Sequence, residues 1–119
     1  MARGKFQTLT EQMFYILLCL RQERCGTDMM AWISEITGGR VAVGPGTLYN
    51  LLEQFQQAGY IRETKVEGRK RSYLLTTAGQ DALEAEVSRL RALIADHVRL
   101  TRMEGDALWE TRSGSGCPC

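Results

Sequence analysis

The stretch VEGRKRSYLLT, Val66–Thr76, sets three cations side by side, Arg69, Lys70 and Arg71, and then passes at once into a largely apolar run. Gly68 lies within EGRK, a segment that suits a tight turn, and YIRETKV before it and RSYLLT after it read as its two strands. The pair is therefore a β-hairpin with a basic tip. From Arg62 to Arg71 the chain carries Arg62, Lys65, Arg69, Lys70 and Arg71 against Glu63 and Glu67, whereas Thr76 to the end carries five cations against seven anions. With a net charge of only +1 the positive field is local, and a nucleic-acid binder needs such a patch more than a high overall charge. A solvated hairpin tip with no partner is the alternative reading of charge alone.

Immediately upstream, PGTLYNLLEQFQQAGY has the marks of a helix. Pro45 suits the first turn, Leu48, Leu51, Leu52 and Phe55 fall on one face, and Gly59 is a natural stop. Its other face carries Thr47, Asn50, Glu53, Gln54 and Gln57, side chains of which Asn, Gln and Thr both donate and accept hydrogen bonds, as base edges require. Simple solvation of that face is the alternative. Further upstream, Leu9, Met13, Ile16, Leu17 and Leu20 recur at spacings of three and four, predicting a helix over Leu9–Arg24. A short second helix follows, with Gly26 or Thr27 as N-cap, Met29, Trp32, Ile33 and Ile36 as its buried stripe, and Gly38-Gly39 as its stop. RVAVG is expected to be briefly extended.

Downstream, Thr76 or Thr77 caps a long amphipathic helix on which Leu83, Val87, Leu90 and Ile94 are spaced four, three and four apart. Such a stripe needs a partner surface, and a chain of 119 residues often gains stability by pairing with a copy of itself. The seam is expected to hold Leu90, Leu93, Ile94, His97 and Leu100, with Gly105 ending or kinking the helix. Helix, helix, helix, hairpin and long helix together specify a mainly α fold with a small β-hairpin, a winged helix-turn-helix plus a long C-terminal dimerisation helix. In that arrangement the third helix enters the major groove and the hairpin tip meets the neighbouring backbone. The expected divisions are a DNA-binding domain over residues 1–76, a dimerisation helix over 77–110 and a disordered tail over 111–119.

These residues also resemble the PadR family of bacterial transcriptional regulators. GTLYNLLEQFQQAGYI is close to the family's G-T-L-Y, L, L-E, G-L-I pattern, and GRKRSYLLTTAG matches its basic turn, tyrosine, Leu-Thr and following glycine; the similarity runs from about Leu9 to about Leu100. The resemblance implies a homodimeric winged-helix repressor whose last helix crosses to the other subunit. By position it places Thr47 and Tyr49 at the DNA-facing start of the recognition helix, Gly68, Arg69, Lys70 and Arg71 at the wing tip, and Tyr73 on the second wing strand. With Asn50, Gln54 and Lys65 these make up the candidate DNA-binding set. Both tyrosines have a second reading, packing with only the hydroxyl exposed. The chain departs from the family pattern at Asn50, Ser72 and Thr27. Its expected short last helix is that of the compact branch, some of whose members bind flat aromatic compounds between subunits, and Trp109 is the candidate contact here. Trp32, on an apolar stripe, reads as core.

The remaining motifs add little. The longest apolar run, FYILLCL, is far too short to span a bilayer, and no secretory signal is recognisable, so a cytoplasmic protein is expected. No nucleophile with a base, no paired carboxylates and no metal set stand out, so neither catalysis nor a cofactor is expected. Two rivals to a DNA-binding regulator remain: a winged helix that docks protein, and a thiol or metal sensor built on Cys117 and Cys119.

Overall fold

The structure, a computed structural model, describes residues 8–115, with side chains described through residue 104. Helix α1 spans Glu11–Cys19, strand β1 Arg24–Cys25, helix α2 Gly26–Ile36, helix α3 Pro45–Ala58, strands β2 Ile61–Glu67 and β3 Lys70–Leu75, and helix α4 Thr77–Ser115. The three strands form one antiparallel sheet in the order β1-β3-β2. Four helices with this small sheet make the winged helix-turn-helix.

Local chemistry explains most boundaries. Thr10 caps α1 by accepting from the Met13 amide at 3.2 Å, closing a capping box in which Met13 sulfur takes the place usual for a carboxylate. Pro45 opens α3, and Gly59, at φ +81°, ends it with the Tyr60 amide donating to the Phe55 carbonyl at 2.9 Å. Gly68, at φ +64°, makes the hairpin turn between paired Glu67 and Lys70. Thr76 is the N-cap of α4. Its hydroxyl accepts from the Gly79 amide at 3.1 Å and donates to the Gly59 carbonyl at 2.6 Å.

Three expectations are corrected. The first helix ends at Cys19 and not Arg24, because β1 pairs with β3, Arg24 opposite Tyr73 and Cys25 opposite Ser72, while the Leu75 amide takes the Leu20 carbonyl at 2.9 Å. The Arg24 guanidinium reaches back to donate to the Cys19 carbonyl, placing a cation on the end of α1, and lies 4.9 Å from the Trp32 ring centroid. Cys25, paired on β1, is buried. Residues 41–43 form no strand, and Val41 and Val43 instead drop into the core from an irregular segment held by Thr37, whose hydroxyl accepts from the Val41 amide at 3.1 Å. Helix α4 runs through Gly105 to Ser115, since one glycine among good helix formers weakens a helix without breaking it.

The chain divides into two compact units, Met1–Glu86 and Val87–Cys119. The first holds the core, in which Ile16, Leu17 and Leu20 from around α1, Met29 and Ile33 from α2, and Leu48, Leu52 and Phe55 from α3 are nearly or fully buried. Each such side chain stabilises by roughly 1.5–3 kcal/mol relative to exposure. The unit extends ten residues past the boundary expected at residue 76 because Leu83 and Glu86 of α4 are buried in it. No helix among the described residues is long and apolar enough to cross a membrane.

One close approach is tight enough to test. A Cβ on Gly79 would lie 2.0 Å from the Tyr60 carbonyl oxygen, whereas one on Gly46 meets nothing within 4 Å. Gly79→Ala should cost about 1–3 kcal/mol in urea unfolding, whereas Gly46→Ala should be neutral or stabilising by up to about 1 kcal/mol.

Candidate nucleic-acid interface

Because α3 turns Leu48, Leu51, Leu52 and Phe55 inward, its other residues face solvent. Thr47, Tyr49 and Asn50 are exposed, while Gln54 is half-buried at the edge of the stripe. On the wing, Lys65, Gly68, Arg69, Lys70 and Arg71 are all exposed. Of these, Tyr49 and the three cations Arg69, Lys70 and Arg71 line one cleft of about 710 Å³ together with Glu53 and Gln56 of α3, whereas Thr47, Asn50, Gln54, Lys65 and Gly68 are not among its lining residues. Gly26 and Thr27 at the start of α2 line it as well. Tyr49 leans on that start so closely that a Cβ on Gly26 would lie 2.3 Å from its hydroxyl oxygen.

Tyr73 differs from the rest of the expected set. It lines the cleft yet is only 4% exposed, and burial raises its phenol above the ordinary tyrosine range, with the charges of Glu63 and Tyr49 adding and Arg71 opposing. Glu63, its ladder partner on β2, was not among the candidates. One oxygen of Glu63 lies 3.4 Å from an Arg71 nitrogen; it is shut off from water and makes no hydrogen bond, so this contact is ionic attraction without hydrogen-bond geometry. A β-bulge follows Glu63, and the Thr64 hydroxyl donates to Glu23. Nothing local in the sequence marks Glu63, since the bulge and strand pairing create the contact.

In the second unit, Leu93, Ile94, His97 and Leu100 of α4 are exposed and Leu90 is partly so; Val98 and Met103, absent from the expected seam, extend the apolar surface. The Trp109 side chain, Cys117 and Cys119 lie outside those described. Among the described residues no group of three or more His, Cys, Asp or Glu is placed to hold a metal ion. Burial pushes the Cys19 thiol up to about 12, far from a reactive thiolate at neutral pH.

The model of the transcriptional regulator PadR-like family matches residues 16–85, more than half of the chain and all of the cleft. The chain belongs to the PadR-like family. It is 34% identical over 68 residues to an uncharacterized 37.1 kDa protein in transposon TN4556 of Streptomyces fradiae, a match spanning 57% of this chain and 19% of that protein's length. RosR of H. salinarum is 25% identical with a TM-score of 0.59, over 88% of this chain and 96% of that one. Bacillus subtilis PadR in complex with operator DNA has a TM-score of 0.57 at 23% identity, over 83% of this chain and 64% of that one, a likeness of fold. The family is one of transcriptional regulators, which fits the expected lack of enzymatic machinery.

The Tyr73 shift has a measurable consequence. A phenol raised by folding contributes stability that is fully present below the unfolded pKa near 10 and is lost as pH rises through the higher folded value. Spectrophotometric titration of the native protein should show a tyrosine step above the ordinary range, and Tyr73→Phe should remove it.

Proposed function

We propose that this PadR-family chain is a sequence-specific double-stranded DNA-binding regulator, with α3 reading bases in the major groove and the wing holding phosphates. The observation that carries this reading is that the polar face of α3 and the wing cations border one cleft. Thr47, Tyr49, Asn50 and Gln54 are the proposed readers, and Lys65, Gly68, Arg69 and Lys70 the proposed backbone contacts, with Arg71 beside them on the wing. Tyr73, being buried, supports the wing from beneath. A protein-docking role for the same surface is the rival, and it predicts no salt-sensitive binding to DNA.

The finer parts of the proposal concern assembly and control. The exposed apolar surface of α4, with Leu90, Leu93, Ile94, His97 and Leu100, pairs with a second copy, since a water-facing stripe of this kind needs a cover. Repression relieved by a planar aromatic effector near Trp109 follows from the family resemblance, and loss of tryptophan quenching in Trp109→Ala tests it.

Selection of bound sequences from random DNA should recover an operator. On it, Arg69→Ala should weaken binding to operator and random duplex alike and lower the salt slope of log affinity by about 1. Asn50→Ala should cost roughly 1–3 kcal/mol at one base pair with the slope nearly unchanged. Charged residues at both Leu90 and Ile94 should split or unfold the dimer; an unaltered dimer by light scattering would place the interface elsewhere.

A further inference from the structure

The three wing cations are not equivalent. Among the described residues Arg69 and Lys70 make no ion pair, but Arg71 lies 3.4 Å from a Glu63 oxygen that is buried from water and has no hydrogen bond. Arg71 and Tyr73, two apart on β3, share a face of the sheet, and Glu63 shares it as the ladder partner of Tyr73. The guanidinium therefore faces a fixed carboxylate on its own hairpin. It is still 62% exposed and so remains within reach of a passing phosphate.

We propose that Glu63 acts as a charge brake on the wing. It neutralises Arg71, so that the tip engages phosphate through Arg69 and Lys70, and it thereby holds down affinity for DNA of any sequence. This rests on the DNA-binding reading. The physical reason is an exchange: a phosphate that draws Arg71 away takes it from a buried carboxylate oxygen that has no hydrogen-bond partner. One anion replaces another at the guanidinium, and the gain is small. Because phosphate contacts carry little sequence information, a contact withheld at the wing lowers random binding and leaves a larger share of recognition to α3. Glu63 is thus a specificity-determining residue that need not touch DNA.

The test is a double-mutant cycle on a mixed-sequence duplex, with affinity followed across a salt series by fluorescence anisotropy. Glu63→Gln keeps the shape and removes the charge; it should raise affinity and steepen the slope of log affinity against log salt by about 0.9, one phosphate contact. Arg71→Ala in the wild-type background should change that slope far less than Arg69→Ala does. In the Arg71→Ala background, Glu63→Gln should have little further effect, because the cation it releases is gone. Glu67→Gln, the same charge change at the hairpin tip, controls for the general field and should steepen the slope less than Glu63→Gln. If Arg71→Ala flattens the slope as much as Arg69→Ala, or if Glu63→Gln has the same effect with and without Arg71, the brake is refuted while DNA binding stands. A wild-type protein without salt-sensitive DNA binding refutes both.

Discussion

Thr76 ties together three elements that the proposed interface needs held in register, through its hydroxyl and its amide. It caps the first turn of α4 through the Gly79 amide and bonds the Gly59 carbonyl at the end of α3, while the Thr76 amide donates to the Tyr60 carbonyl at 2.9 Å. The end of α3, the end of β3 and the start of α4 therefore meet at one residue. Gly79 belongs to the same junction, because any side chain there would collide with the Tyr60 carbonyl. With α3 anchored in this way, its apolar stripe enters the core and its polar face lies across the cleft from the wing cations.

A second constraint works at the opposite end of the sheet. Strand β1 is two residues long, yet it makes β3 the central strand and stops α1 early. Arg24 completes this corner by covering the carbonyl end of α1 and facing the Trp32 ring. The start of α2 is then near enough for Tyr49 to rest on Gly26, so α3 is supported from α2 as well as from the Thr76 junction.

Much of this was legible in the sequence where the cause is local. Pro45, Gly59, Gly68 and Thr76 each act within a few residues of themselves, so helix ends and the hairpin turn follow from residue type. The candidate readers Thr47, Tyr49 and Asn50 emerged for the same reason, as the residues left outside a clear apolar stripe. Features made by distant pairing were not legible. The periodicity of Leu9–Leu20 gave no warning that Arg24 and Cys25 would pair with residues almost fifty positions away. Glu63 looked like one of two stray anions in a basic segment, and only the folded hairpin sets it against Arg71. The extent of α4 was misjudged because a glycine was read as a stop where the flanking residues carry the helix through.

The central claim is that α3 and the wing form a single surface for duplex DNA, and hydrogen exchange with and without a selected duplex tests it most directly. The first-turn amides of α3 at Gly46 and Thr47 have no partner within the helix, and Gly68 and Arg69 lie at the exposed turn, so both groups exchange freely unless covered. The account predicts that DNA protects both together and leaves the first turn of α1 unchanged. Protection of the wing alone, or of neither segment while DNA is bound, would contradict it.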